Sequence, residues 1–112
     1  MLYQGKIKCK ECGYTFKGRK EAKRINYRCN RRLSQGSSSC INSERIEEDF
    51  ITDLVKQKFN IIDLDVPEEE YPNYIENIIA GIDDIVINYI PSLNTPPTIV
   101  NQRGVFHTST DI

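Results

Sequence analysis

Four cysteines constrain this chain more than any other feature. Cys9, Cys12, Cys29 and Cys40 are the only cysteines, and all lie in one 32-residue segment. Cys9-x-x-Cys12-Gly13 has the form of a metal knuckle: two intervening residues let both sulfurs converge on one ion, and Gly13 lets the backbone leave the turn at positive φ. A closed tetrahedral site needs two more thiolates, which only Cys29 and Cys40 can supply. Ten residues separate that second pair, so it is no second knuckle, and the loop over 30–39 must return to the metal. Zinc suits four thiolates because it is redox-inert and takes sulfur readily, so one structural Zn²⁺ is expected. The alternatives are a redox pair and an iron site. The first lacks the βαβ surroundings of a thioredoxin-like fold, and the second ordinarily uses two knuckles. A metal also answers a need, because a 112-residue chain that is 38% hydrophobic is thinly cored.

Charge divides the chain at the same place. Residues 1–40 carry eleven Lys/Arg and two Glu, or +9, whereas residues 41–112 carry four Lys/Arg and fourteen Asp/Glu, or −10. The net charge of −1 hides this asymmetry, which suggests nucleic-acid contact by the basic half. The alternative is a basic surface paired against its own acidic half. No apolar run exceeds three residues (Ile78-Ile79-Ala80, Ile85-Val86-Ile87). A membrane span needs about 20 and a signal-peptide core about 7–15. A cytoplasmic chain without membrane association, its thiols reduced or metal-bound, is therefore expected.

The pattern predicts a small α+β fold. Residues 1–8 read as a lead-in strand ending at Ile7. Alternation through Tyr14 and Phe16, a polar connector over 18–24, and alternation through Ile25, Tyr27 and Cys29 predict a β-hairpin. Its apolar face would hold Tyr14, Phe16, Ile25 and Tyr27, with Lys17, Asn26 and Arg28 pointing the other way. Residues 30–39 read as a loop by composition. Asn42 or Ser43 then caps a helix over 43–59, with Glu44, Glu47, Glu48 and Asp49 in its first turns and a stripe of Ile46, Phe50, Ile51, Leu54, Val55 and Phe59. Pro67, Glu68-Glu69-Glu70 and Pro72 mark a connector. Ile75, Ile78 and Ile79 suit a short second helix, Gly81–Asp84 a turn, and Ile85–Ile90 a strand ended by Pro91. The domains expected are a zinc β-ribbon over 1–42, the helix leaving it over 43–59, a connector, short helix and β-hairpin packing back over 60–91, and a poorly ordered tail over 92–112. In that tail only Ile99, Val100, Val105 and Phe106 have strand character.

Leu2-Tyr3-Gln4-Gly5-Lys6-Ile7-Lys8-Cys9-Lys10-Glu11-Cys12-Gly13-Tyr14-Thr15-Phe16 resembles the zinc β-ribbon of large serine recombinases, the phage integrases and transposon or cassette recombinases. Tyr27-Arg28-Cys29, the polar loop, Cys40 and the acidic Glu44–Phe50 follow in that family's order, and the wide second spacing is typical of it. The likeness covers residues 2–59. The return of that family's chain is similar to Tyr74–Ile79 followed by Asp83–Ile87. Its long coiled coil has no counterpart, since Pro67 and Pro72 forbid one between 59 and 74. The resemblance implies a duplex-DNA-binding module of a site-specific recombinase or integrase that recognises part of an attachment site. Double-stranded DNA and other recombinase subunits would be its partners, with no small-molecule substrate. The family's nucleophilic serine belongs to an N-terminal resolvase domain, so the chain is expected to be a C-terminal fragment, an excised domain or a gene remnant. Ser34, Ser37, Ser38 and Ser39 have no general base beside them in sequence, and catalysis by the chain itself is not expected.

The expected DNA contacts are Lys17, Arg19, Lys20, Lys23, Arg24, Arg28, Arg31 and Arg32. A basic β-ribbon can enter a major groove while flanking loops hold phosphates. Arg31 and Arg32 follow a metal ligand, which would fix their backbone and leave long, free side chains. They are expected to reach phosphate and, more specifically, to form a bidentate fork on guanine, whereas Lys20 would act as a point charge on phosphate. The other reading is a solvated hairpin tip on a protein–protein zinc ribbon. Tyr14, Phe16 and Tyr27 are expected to pack rather than stack on bases, His107 to sit in an exposed tail, and Glu68–Glu70 and Asp83-Asp84 to be solvated rather than to bind a cation.

Overall fold

A computed structural model of the chain describes residues 1–101. Residues 1–6 form turns instead of the expected strand. The Lys6 amide donates to the Tyr3 carbonyl at 2.9 Å, and Gly5 adopts φ 84°. This tucks Tyr3 fully into the core, and strand β1 (Ile7–Cys9) runs directly into the knuckle.

Strands β2 (Phe16–Glu21) and β3 (Arg24–Cys29) form the expected hairpin, in a register that runs from Phe16 opposite Cys29 to Glu21 opposite Arg24. Its turn is only Ala22–Lys23, so Gly18–Glu21, expected in the connector, are strand residues. Gly18 faces Tyr27, and a Cβ there would stand 2.8 Å from the Tyr27 ring and 2.8 Å from Met1 Sδ. The flat backbone at Gly18 is what lets the tyrosine lie across the sheet. Phe16 and Tyr27 are buried and Ile25 half-buried, as expected, but Tyr14 precedes the strand and is exposed. Asn26, expected in solvent, is buried, and its Nδ2 donates to Glu21 Oε1 at 2.8 Å.

The predicted loop over 30–39 begins with a short helix, α1 (Asn30–Gln35). The predicted helix over 43–59 starts later. Residues Arg45–Glu47 form strand β4, paired antiparallel with β3, and α2 spans Glu48–Ile61. Ile46, placed on the helical stripe by its spacing, is instead buried opposite Tyr27 from a strand. Glu48 and Asp49 occupy the first turn of α2, the end where its dipole favours acids. Ile51, Leu54, Val55 and Phe59 form its buried stripe.

After a 3₁₀ segment over Glu68–Tyr74 comes strand β5 (Ile75–Ala80), where a second helix was expected. The cause is visible in the register. Ile75 faces Tyr89 and Asn77 faces Asn88, so a bulge lies between them. The extra residue brings Ile75 and Ile78 to the same side, a helix-like spacing produced by a bulged strand. β-branched isoleucines favour the extended form. The turn over 81–83 leads into β6 (Asp84–Tyr89), and β7 (Thr98–Asn101) adds a strand within the segment expected to be a poorly ordered tail. Val105, Phe106 and His107 lie outside the described residues.

Two sheets result. One has the order β2-β3-β4, and the other β1-β5-β6-β7. β1 runs parallel to β5, with Cys9 opposite Ala80, and an isolated bridge joins Lys8 to Thr15 beside β2. The knuckle is thus shared by both sheets. Helix α2 lies against β3 and β4, and its Phe59 meets the rings of Tyr71, Tyr74 and Tyr89 at centroid distances of 5.0, 5.7 and 6.1 Å. Among the described residues no helix is long and apolar enough to cross a membrane.

Candidate functional site

The four cysteine sulfurs converge from three stretches of backbone: the Cys9–Cys12 knuckle, the end of β3 at Cys29 and the far end of the 30–39 loop at Cys40. All lie within 4.8 Å of one another, with Cys9 and Cys40 3.7 Å apart and Cys12 and Cys29 3.5 Å apart. A tetrahedral ion with Zn–S bonds of about 2.3 Å requires sulfurs about 3.8 Å apart. The donor set therefore fits zinc in number, softness and spacing. Cys9, Cys29 and Cys40 are buried and Cys12 is half-buried, which makes the centre closed and structural.

The backbone prepares the site for negative sulfur. The amides of Cys12 and Glu11 lie beside the Cys9 sulfur, that of Tyr14 beside Cys12, those of Arg32 and Arg31 beside Cys29 and that of Asn42 beside Cys40, and each favours the charged thiolate. Gly13, at φ 81°, closes the knuckle by donating its amide to the Cys9 carbonyl at 2.9 Å. Cys29 is the residue from which α1 starts, so amides of the first helical turn lie beside its sulfur, the end of a helix that favours negative charge. Without metal, burial pushes the thiols of Cys12, Cys29 and Cys40 above their ordinary range. Burial acts on Cys9 too, but the amides of Cys12 and Glu11, the Asn42 side chain and the Cys40 thiol outweigh it and hold Cys9 below that range.

Asn42 belongs to this centre, although its sequence context suggested only a helix cap. It is fully buried. Its Nδ2 donates to Cys9 Sγ at 3.4 Å and to the Ala80 carbonyl at 3.0 Å, while its Oδ1 accepts the Glu44 amide at 3.1 Å. One side chain joins the metal ligand, the end of β5 and the approach to β4. No local signal reveals this role, because both sulfur and carbonyl come from distant sequence.

The basic residues separate into two groups. Lys17, Arg19, Lys20, Lys23, Arg24 and Arg28 are all exposed on the hairpin. Arg24 pairs with Glu47 at 2.5 Å, and Arg28 lies 3.7 Å from Glu21. Lys17, Arg19, Lys20 and Lys23 have no ion pair among the described residues. Among these residues, ion pairs join the basic and acidic halves only at Arg24–Glu47 and at Lys10–Asp84, 3.8 Å apart. The charge asymmetry is thus largely left on the surface. Arg31 and Arg32 form the second group, and their side chains are not free. Arg32 donates through Nη1 to the Ser37 carbonyl at 2.7 Å and the Cys40 carbonyl at 2.6 Å, which fastens the loop that returns Cys40 to the metal. Arg31 lies 5.5 Å from the centre of the Tyr14 ring, and its Nε is buried without a partner. The wide cysteine spacing leaves loop carbonyls that need a donor, and the nearest guanidinium supplies it.

The serines of this loop serve its turns: Ser34 Oγ donates to the Asn30 carbonyl, and Ser39 Oγ to the Arg31 and Gly36 carbonyls. Of the acidic clusters, Glu68–Glu70 and Asp83 are exposed, and Asp84 faces Lys10.

A three-stranded sheet clamped at its base by four thiolates, with a helix leaving its third strand, defines a zinc β-ribbon that holds one structural Zn²⁺. Residues 2–60 match the family model described as the recombinase zinc beta ribbon domain. The chain belongs to that family and is a zinc-binding module of the recombinase type. No curated protein and no solved structure matches it significantly.

Proposed function

We propose that this chain is the duplex-DNA-binding module of a site-specific serine recombinase or integrase, working in the cytoplasm and recognising part of an attachment site. The observation that carries the proposal is the set of hairpin cations, exposed and mostly without ion pairs, on a sheet fixed by the metal centre. A rigid basic ribbon offers positive charge at set positions, and the counterions it releases from phosphates drive association. Lys17, Arg19, Lys20, Lys23, Arg24 and Arg28 form the contact surface. Arg31, resting on Tyr14, is the candidate for reading a base edge, while Arg32 acts by holding the loop. Strand cleavage and joining belong to other parts of the recombinase, and other recombinase subunits are the protein partners.

The test is a titration of zinc-loaded protein with duplex DNA at several salt concentrations. Contact with about 4–6 phosphates gives a log–log slope of roughly −4 to −5. Replacing Lys20 and Lys23 with alanine should weaken binding to all sequences and flatten that slope. Zinc-loaded protein with no salt-sensitive affinity for duplex would refute the proposal and leave the basic surface to an acidic protein partner.

A further inference from the structure

The hairpin is only two-thirds of a sheet, and the third strand changes which residues stand together. Lys17 on β2 faces Arg28 on β3, and Arg28 faces Arg45 on β4. These three cations form one row straight across the ribbon. All three are exposed, on the face opposite the buried Gly18, Tyr27 and Ile46. The next row is Arg19, Asn26 and Glu47, and the last pair is Glu21 with Arg24.

Five cations therefore share the face with two carboxylates, which are already in use. Glu47 is paired with Arg24, and Glu21 accepts from Asn26 Nδ2 at 2.8 Å while lying 3.7 Å from Arg28. Neither Lys17 nor Arg45 has an ion pair among the described residues. Like charges directly opposite one another destabilise a sheet, so the free protein holds this row against mutual repulsion. Strands about 4.8 Å apart place the row's ends about 10 Å apart, comparable to the roughly 12 Å width of the major groove. A polyanion laid across the face would relieve the repulsion that the fold leaves standing.

We infer that the outer face of the three-stranded sheet, and not the hairpin tip alone, meets the DNA backbone, with Arg45 as a phosphate contact completing the row Lys17–Arg28–Arg45. This rests on the DNA-binding reading above and names the face and a further residue. The linear sequence conceals Arg45, which lies in the acidic half, seventeen positions after Arg28 and next to Glu44.

The experiment compares the full zinc-loaded chain with its Arg45→Gln and Arg45→Lys variants on a mixed-sequence duplex of about 30 bp, a length that covers the ribbon several times over. Arg45→Gln should lower affinity roughly 3- to 10-fold near 0.1 M salt and reduce the magnitude of the salt slope by about 0.9. Arg45→Lys should retain the wild-type slope. In the free protein Arg45→Gln should leave the melting temperature unchanged or raise it, because one like charge has gone. Affinity and stability moving in opposite directions separates a contact from a structural role. As a second measurement on the unaltered chain, backbone amide signals of Lys17, Arg28 and Arg45 should shift together on titration with DNA. If the wild type binds while Arg45→Gln binds identically with the same slope, the face assignment fails and the DNA-binding reading survives. If the wild type shows no salt-dependent binding, both fail.

Discussion

Asn42→Ala removes three hydrogen bonds and no charge, which makes it a clean probe of how the metal centre is tied to the rest of the fold. The side chain is fully buried, so water cannot replace it without first opening the packing. The Ala80 carbonyl keeps another donor, the Lys10 amide at 2.9 Å, and so loses little. The Glu44 amide is left without its Oδ1 acceptor, and Cys9 loses its only side-chain amide donor. Leaving such groups unmatched costs about 1–3 kcal/mol each, and the small cavity adds to this. A total near 2–4 kcal/mol is expected. Loss of a hydrogen bond to a metal ligand lowers affinity about 10–100-fold, which is roughly 1.4–2.8 kcal/mol and lies within the same range. Asn42→Asp should be worse, because it sets a carboxylate against a thiolate. Competition with a chromogenic chelator reads the zinc affinity, and thermal unfolding followed by circular dichroism reads the stability. If Asn42→Ala held zinc as tightly as wild type and melted within about 0.5 kcal/mol of it, the assignment of Asn42 to the centre would be wrong.

Three other outcomes follow from the same contacts. Cys29→Ser, or strong chelation, should unfold both sheets together rather than residues 1–40 alone, because β1 carries Cys9 and is paired with β5; a β5–β6 hairpin that keeps its amide protection without metal would contradict this, since zinc binding energy is folding energy. Glu48→Ala should cost about 2–3 kcal/mol in urea unfolding, because Glu48 Oε1 accepts from both the Leu2 amide and the Tyr27 hydroxyl at 2.7 Å, and bonds to charged groups are the stronger kind; a loss below about 0.5 kcal/mol would show these bonds to be dispensable. Zinc binding near pH 7 should release roughly three to four protons, since the thiols of the unfolded, metal-free chain are mostly protonated at that pH, and affinity should fall as pH drops because protons compete for sulfur; calorimetry in buffers of different ionisation heat counts them, and release of fewer than two would mean that the thiols are already ionised before metal arrives.

The metal centre was legible in the sequence because its chemistry is carried by residue type. Only four thiols exist, and Cys9-x-x-Cys12-Gly13 is a local turn that closes on itself, so no tertiary information was needed to name Cys9, Cys12, Cys29 and Cys40. The β2–β3 hairpin was legible for a similar reason: the alternation of buried Phe16, Tyr27 and Cys29 with exposed Lys17 and Arg28 is a property of neighbouring residues. What failed was what depends on residues far apart. The spacing of Ile75 and Ile78 looked helical until a bulge opposite Tyr89 explained it, and Ile46 fitted a helical stripe until β3 supplied a strand for β4 to pair with. Arg32 looked free because the Ser37 and Cys40 carbonyls that hold it are brought within reach only when the loop closes on the metal. Asn42 and Arg45 are the sharpest cases. Sequence determined that one carries an amide and the other a charge, but only the pairing of β1 with β5 and of β3 with β4 decided that the amide would meet a zinc ligand and that the charge would complete a row. Hydrogen bonds and charges act over a few ångströms, and which groups come that close is set by the fold as a whole.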